Sequence, residues 1–124
     1  ERAGNRCDYC HLAQEHEPFS VFHIEHIIAK QHRSDDSDDN LCLACSSCNL
    51  HKGPNIAGID PDTDDVVPLY HPRQQSWEEH FRWNGAILMG ITSCGRATTH
   101  VLQINSVESV ELRETLIEEG VFPR

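Results

Sequence analysis

Apolar residues in this chain come in short runs separated by polar and acid-rich stretches. Along residues 20–28, "SVFHIEHII", Val21, His23 and Glu25 alternate with Phe22, Ile24 and His26. That alternation and the β-branched content predict a strand in which Phe22, Ile24, Ile27 and Ile28 are buried. A second, shorter strand is predicted over 41–44, "LCLA". The stretch 46–53, "SSCNLHKG", predicts a short helix with Ser46 as N-cap and Gly53 as its stop. Residues 1–6 read as the end of a helix, 11–18 as loop, and "RSDDSDDN" as a turn-rich connection.

The second half has a different texture. "GIDPDTDDVVPLYHPR" reads as a turn followed by a strand, and "SWEEHFRW" as a helical turn carrying aromatic anchors. "AILMGIT" and "ATTHVLQIN" flank "SCGR" and predict a β-hairpin. Residues 106–120 predict an amphipathic helix with Val107, Val110, Leu112, Leu116 and Ile117 on or near one face. Asn105 or Ser106 caps its start and Gly120 ends it. The elements predict an α+β unit of one domain, 1–124, in which residues 57–124 pack on a core formed by 1–56.

Length and charge narrow the function classes. A chain of 124 residues can bury one modest core. It lacks an apolar run long enough to span a bilayer, so it reads as soluble and cytoplasmic. It starts at Glu1 without a leader, as a piece of something longer would, with native residues before Glu1. Ten basic against twenty acidic residues give a formal charge of −10. That argues against a large phosphate-binding surface, because duplex affinity draws on Lys and Arg contacts. A nucleic-acid role then needs a local patch, for which Lys52, Arg73, Arg82 and Arg96 are candidates, or a partner subunit or fused domain that supplies basic surface.

Cysteine spacing adds a metal. Cys7 and Cys10 form "CDYC", and Cys45 and Cys48 form "CSSC". Two such pairs present four thiolates to one tetrahedral ion, and no thioredoxin-like pattern surrounds either pair, so the expectation is structural Zn²⁺. Cys42 lies in an apolar run and reads as a small core residue; Cys94 reads as a turn thiol. The acid-rich loops "DDSDDN" and "DPDTDD" lack the glycine and the terminal glutamate of an EF-hand and read as solvated.

If zinc draws the helix of 46–53 back to the first cysteine pair, that helix crosses the segment "HIEH". Glu25, His26, Asn40, Asn49, His51 and Lys52 are then neighbours. Carboxylate and amide oxygens suit a hard ion such as Mg²⁺ or Mn²⁺, and an imidazole titrating near neutrality can act as a base. One geometric tension stands: in a regular strand Glu25 and His26 face opposite sides.

The run "CDYC…HIEHIIAKQH…DDNLCLACSSCNLHKG" resembles the zinc-containing HNH endonucleases, which have a ββα-metal core; the resemblance covers residues 7–53. The downstream stretch is similar to the tail of a bacterial, often cyanobacterial, subgroup of small HNH proteins. The resemblance implies hydrolysis of DNA phosphodiesters with one divalent ion, leaving a 5′-phosphate and a 3′-hydroxyl. It implies His26 as general base, Glu25 and Asn49 as ligands of that ion, and Asn40 as the residue that orders the loop and orients the base. His23 is an additional ligand or the partner of one, and Lys52 and His51 are candidate substrate contacts. The loop departs from the family pattern: a proline and a Gly-Gly pair are replaced by Ala29 and by Arg33 with Ser34.

Each residue also has a plainer reading. His26 alone would be a satisfied core histidine, Glu25 a salt-bridged carboxylate, Asn40 a turn cap, and Lys52 a partner of the helix dipole. His32 belongs to the loop, and His71, His80 and His100 read as structural. The partner of the nuclease reading is a DNA substrate, with structured or single-stranded nucleic acid as the variant; the alternative function is a non-catalytic zinc-ribbon module that binds nucleic acid or protein.

Overall fold

Residues 4–123 are described in the computed structural model. β1 (His23–His26) and β2 (Leu41–Ala44) pair antiparallel, with Glu25 opposite Cys42 and His26 opposite Leu41. The strand is shorter than the run 20–28 predicts. Its inward position is Glu25, whereas Ile24 is 75% exposed. Phe22 and Ile27, which flank the paired residues, are buried instead. The expectation of a helix end before Cys7 lies outside the described residues for 1–3. From Gly4 the chain turns and enters a bridge between Arg6 and Ala13.

α1 (Ser46–Lys52) follows β2 and packs on both strands. Its N-cap is Cys45 rather than Ser46. The Cys45 Sγ accepts from the Cys48 N–H at 3.4 Å, so one sulfur both caps the helix and faces the other three buried cysteines. Gly53 ends the helix at a φ of +51°, a region that disfavours a side chain.

The second half contains two hairpins and two helices. β3 (Ala57–Ile59) pairs with β4 (Val66–Pro68), and β5 (Phe81–Asn84) with β6 (Ile87–Gly90). The strand partner of β6 therefore precedes it, and α2 (Ser93–Val101) replaces the hairpin expected across "SCGR". Thr and Val are stiff at χ1 and favour strands locally. Here burial of Ala97 and Thr98, and an N-cap from the Thr92 hydroxyl to the Gly95 N–H, override that preference. Thr98 Oγ1 donates to the Cys94 carbonyl at 2.7 Å and accepts from the Tyr70 N–H at 2.9 Å, which fixes α2 against the end of β4. β6 and α2 cross so closely at Gly90 and Gly95 that a Cβ on Gly90 would run into the backbone of Gly95 and Arg96.

α3 (Val107–Glu118) is capped by Ser106, which accepts from the Ser109 N–H. Asn105 is used elsewhere and exchanges two hydrogen bonds with the backbone of Leu88. Leu116 is buried, but Val107 is 70% exposed, so the apolar face starts later than the sequence predicts.

One buried cluster joins the two halves, running from Tyr9 and the cysteines to Tyr70, Phe81, Leu88 and Leu116. Polar clamps reinforce it. Trp77 Nε1 donates to the Tyr9 carbonyl at 2.9 Å, and Arg73 donates to the Leu41 carbonyl at 2.9 Å and to Asp8 at 3.1 Å. Among the described residues no helix is long and apolar enough to cross a membrane.

Candidate metal and nuclease site

The cysteine cluster is built from two turns. In the first, the His11 N–H bonds back to the Cys7 carbonyl and the Cys7 N–H to the Leu12 carbonyl, which aims Cys7 and Cys10 at one point. His11 leaves this turn at a left-handed φ of 65°, with its ring stacked on Trp77. In the second, Cys45 and Cys48 sit at the start of α1. The four Sγ atoms lie within 4.8 Å of one another, and Cys10 Sγ is 3.8 Å from Cys45 Sγ. A tetrahedral zinc with Zn–S bonds of about 2.3 Å has sulfurs about 3.8 Å apart, so the cluster fits structural zinc.

The electrostatics agree with that fit. All four thiols are buried, and hydrogen bonds among them drive the Cys45 thiol far down while they push Cys10 and Cys48 up, so without a cation the group shares its protons unequally. Four thiolates could share this buried space only around a cation. Arg113, which sequence reading took only as part of α3, contributes to the field. It is 2% exposed, and burial lowers its pKa while the charges of Cys10, Cys48 and Cys45 oppose that shift. Its head is held by the carbonyls of Ala86 and Ile104 and lies over the Trp83 ring.

The other candidate residues lie along β1, α1 and the loop that follows β1. Glu25 turns inward, 8% exposed, beside Tyr9 and Cys42, whose Sγ is 3.6 Å from Oε1. Burial raises its pKa, and the Lys52 ammonium and bonds from Tyr9 and Cys42 only partly offset this. The same carboxylate raises Cys42, after burial. His26 turns outward, with 27% of its side chain exposed, and its Nε2 is 2.7 Å from Asp36 Oδ1. Adjacent positions on β1 thus face opposite sides, as strand geometry requires.

Asn40 is 3% exposed and closes the loop. Its Oδ1 accepts from the Ile28 N–H at 2.9 Å, and its Nδ2 donates to the carbonyls of Ile28 at 3.0 Å and Asp35 at 2.8 Å. Asn49 is half-buried on α1, and its amide has no hydrogen bond among the described residues. His51 donates Nδ1–H to the Ser47 carbonyl at 2.8 Å and turns to a cavity of about 290 Å³ shared with Cys45, Cys48 and Arg113, away from the loop. His23 is exposed at the far end of β1.

Two expectations change. Lys52 cannot meet a substrate phosphate in this structure, because it is 1% exposed and its Nζ donates to the Ile27 carbonyl at 2.9 Å. The basic patch does not form either: Arg73 is engaged by Asp8, Arg96 by the fully buried Asp60, and only Arg82 is exposed on a strand. Asp36 is the residue that sequence reasoning missed. It looked like one solvated acid among several, and nothing in the spacing marks which acid of the loop reaches His26.

Comparison with known protein families matches residues 7–55 to the family described as HNH endonuclease. The matched residues make up less than half of the chain, and over them it is similar to that family. The HNH segment contains all four zinc-site cysteines, both strands of the first hairpin and α1. The likeness of this segment suggests a nuclease or another nucleic-acid-related function. No curated protein and no solved structure matches the chain.

Proposed function

We propose that the chain is a metal-dependent HNH endonuclease that hydrolyses DNA phosphodiester bonds, with His26 as general base and zinc holding the scaffold. The observation that carries this reading is the placement of His26. It ends β1 within the HNH segment, with about a quarter of its side chain exposed (27%), beside a loop fixed by the buried amide of Asn40. A neutral imidazole open to solvent can take a proton from water near neutral pH. As the proton passes to the ring, the water oxygen bonds to phosphorus and the bond to the 3′-oxygen breaks. The 3′-oxygen takes a proton from solvent, giving a 3′-hydroxyl and a 5′-phosphate, and the imidazolium returns its proton to solvent.

Glu25 and Asn49 are the residues for one divalent ion, Mg²⁺ or Mn²⁺. Their oxygens are hard donors; Glu25 is buried, with its charged form disfavoured by burial and only partly supported by Lys52, Tyr9 and Cys42, and the Asn49 amide is unengaged among the described residues. When bound, such an ion stabilises charge on the phosphoryl oxygens and the leaving group. With a net charge of −10 and Arg73, Arg96 and Lys52 engaged internally, DNA binding draws on a partner subunit or a fused domain.

One observation favours the second reading, a non-catalytic zinc module: Glu25 and His26 face opposite sides of β1. Plasmid cleavage with Mg²⁺ or Mn²⁺ separates the two. The nuclease reading expects nicking by the zinc-loaded wild type and its loss in His26→Ala with zinc content unchanged. A zinc-loaded wild type that leaves DNA and RNA intact across divalent ions overturns it.

A further inference from the structure

The pair formed by His26 and Asp36 has no counterpart among the roles assigned above. Asp36 is 72% exposed, and an ion pair so open to water contributes little to folding. Yet the segment that carries it is fixed at several points. Asn40 holds the Asp35 carbonyl and both backbone groups of Ile28. Asp35 Oδ1 accepts from the Ser37 N–H at 2.9 Å, and His32 Nε2 lies 3.2 Å from the Pro54 carbonyl. A buried amide and a network of local bonds thus set where Asp36 sits, and Asp36 sits 2.7 Å from one ring nitrogen of His26. Lys30, 3.7 Å from the same carboxylate oxygen, helps hold it ionised.

A neutral imidazole has one N–H and one lone pair, and the partner of one nitrogen decides which is which. An ionised carboxylate can only accept. We infer that Asp36 is the positioning residue of the general base: it takes the Nε2–H of His26, locks that tautomer and the ring orientation, and leaves Nδ1 as the atom that receives the proton of the attacking water. Nδ1 has no hydrogen bond among the described residues and so is open to that role. The inference rests on His26 being the base. Bond making and breaking are unchanged, and only the accepting nitrogen is specified.

The test separates the two levels. Ring ¹⁵N shifts of His26 are read in zinc-loaded protein at about pH 8.5, where an imidazole is ordinarily neutral. Wild type is expected to show Nε2–H with a bare Nδ1. Asp36→Ala should give a mixture of tautomers, and Asp36→Asn, which can still accept through its amide oxygen, should restore much of the wild-type signature. In plasmid nicking, Asp36→Ala should lower kcat roughly tenfold or more at unchanged KM, a part of the 10²–10⁴ that a positioned base supplies, with partial rescue in Asp36→Asn. A wild-type ring protonated on Nδ1, or an Asp36→Ala variant that keeps the tautomer and cleaves as fast or faster, overturns the inference while leaving the nuclease reading intact. If wild type does not cleave at all, the nuclease reading fails, and the ring shifts still decide whether Asp36 sets the tautomer.

Discussion

Asn40→Ala tests how the fold delivers its site. The Asn40 side chain is buried and makes three hydrogen bonds, to the Ile28 N–H, the Ile28 carbonyl and the Asp35 carbonyl. At about 1 kcal/mol net for each bond, their loss costs about 3 kcal/mol. Total stabilities run about 5–15 kcal/mol, so this is a large fraction. At roughly 4 °C per kcal/mol for a chain of this length, Tm should fall by about 12 °C. Thermal unfolding of zinc-loaded protein followed by circular dichroism measures that shift. Trypsin provides a local readout, since Lys30 and Arg33 lie in the loop that Asn40 closes and should be cut faster in the variant. Asn40→Asp should do no better than alanine: it keeps the acceptor for the Ile28 N–H but turns a carboxylate toward two carbonyls. A variant that melts within 2 °C or so of wild type, with Lys30 and Arg33 equally resistant, refutes the clamp.

Two further expectations follow from buried charge. Cys48→Ala, or chelation of the wild type, should unfold residues 7–55, because structural zinc contributes about 10–16 kcal/mol in small zinc-folded domains, as much as a whole domain's stability; a variant that stays soluble and melts cooperatively at the wild-type temperature contradicts this. Asp60→Asn should lower the urea midpoint at pH 7. The Arg96 guanidinium holds the Asp60 carboxyl well below its ordinary value. A depressed folded-state pKa means its stabilisation is complete above the usual carboxylate pKa and lost as pH falls through the folded value. The gap between variant and wild type should therefore be constant from about pH 6 to 8 and narrow below about pH 4; a gap that widens in acid is the wrong sign.

Features set by local spacing were legible in the sequence. Cys7, Cys10, Cys45 and Cys48 announce their cluster because a two-residue spacer constrains sulfurs regardless of what surrounds them. β2 and α1 follow for the same reason, being short elements pinned by that cluster. Features set by tertiary contact were not legible. The Thr- and Val-rich run of α2 is locally a strand sequence, and packing against β3, β4 and β6 makes it a helix. Ile24 looked like core because it is apolar, but Glu25, with Tyr9, Cys42 and Lys52 around it, takes the inward position. Lys52 looked like a phosphate contact because the chain does not show that α1 points it at the Ile27 carbonyl. Asp36 could not be distinguished from Asp35, Asp38 or Asp39 without the loop that Asn40 folds.

The stacking of Trp77 on His11 gives the molecule an intrinsic optical gauge. The indole is tethered to the Tyr9 carbonyl inside the first cysteine turn, and the His11 ring lies 4.1 Å from it at 27°. Any opening of that turn exposes the indole to water and separates the rings, so emission intensity and wavelength follow the state of the cysteine cluster without a label. The second tryptophan, Trp83, lies edge-on to Phe122 and under Arg113, and its ring is 6.0 Å from Trp77, close enough to exchange excitation with it. With Trp83 replaced by phenylalanine, Trp77 emits alone, and the gain or loss of metal can be timed by light on the unmodified turn.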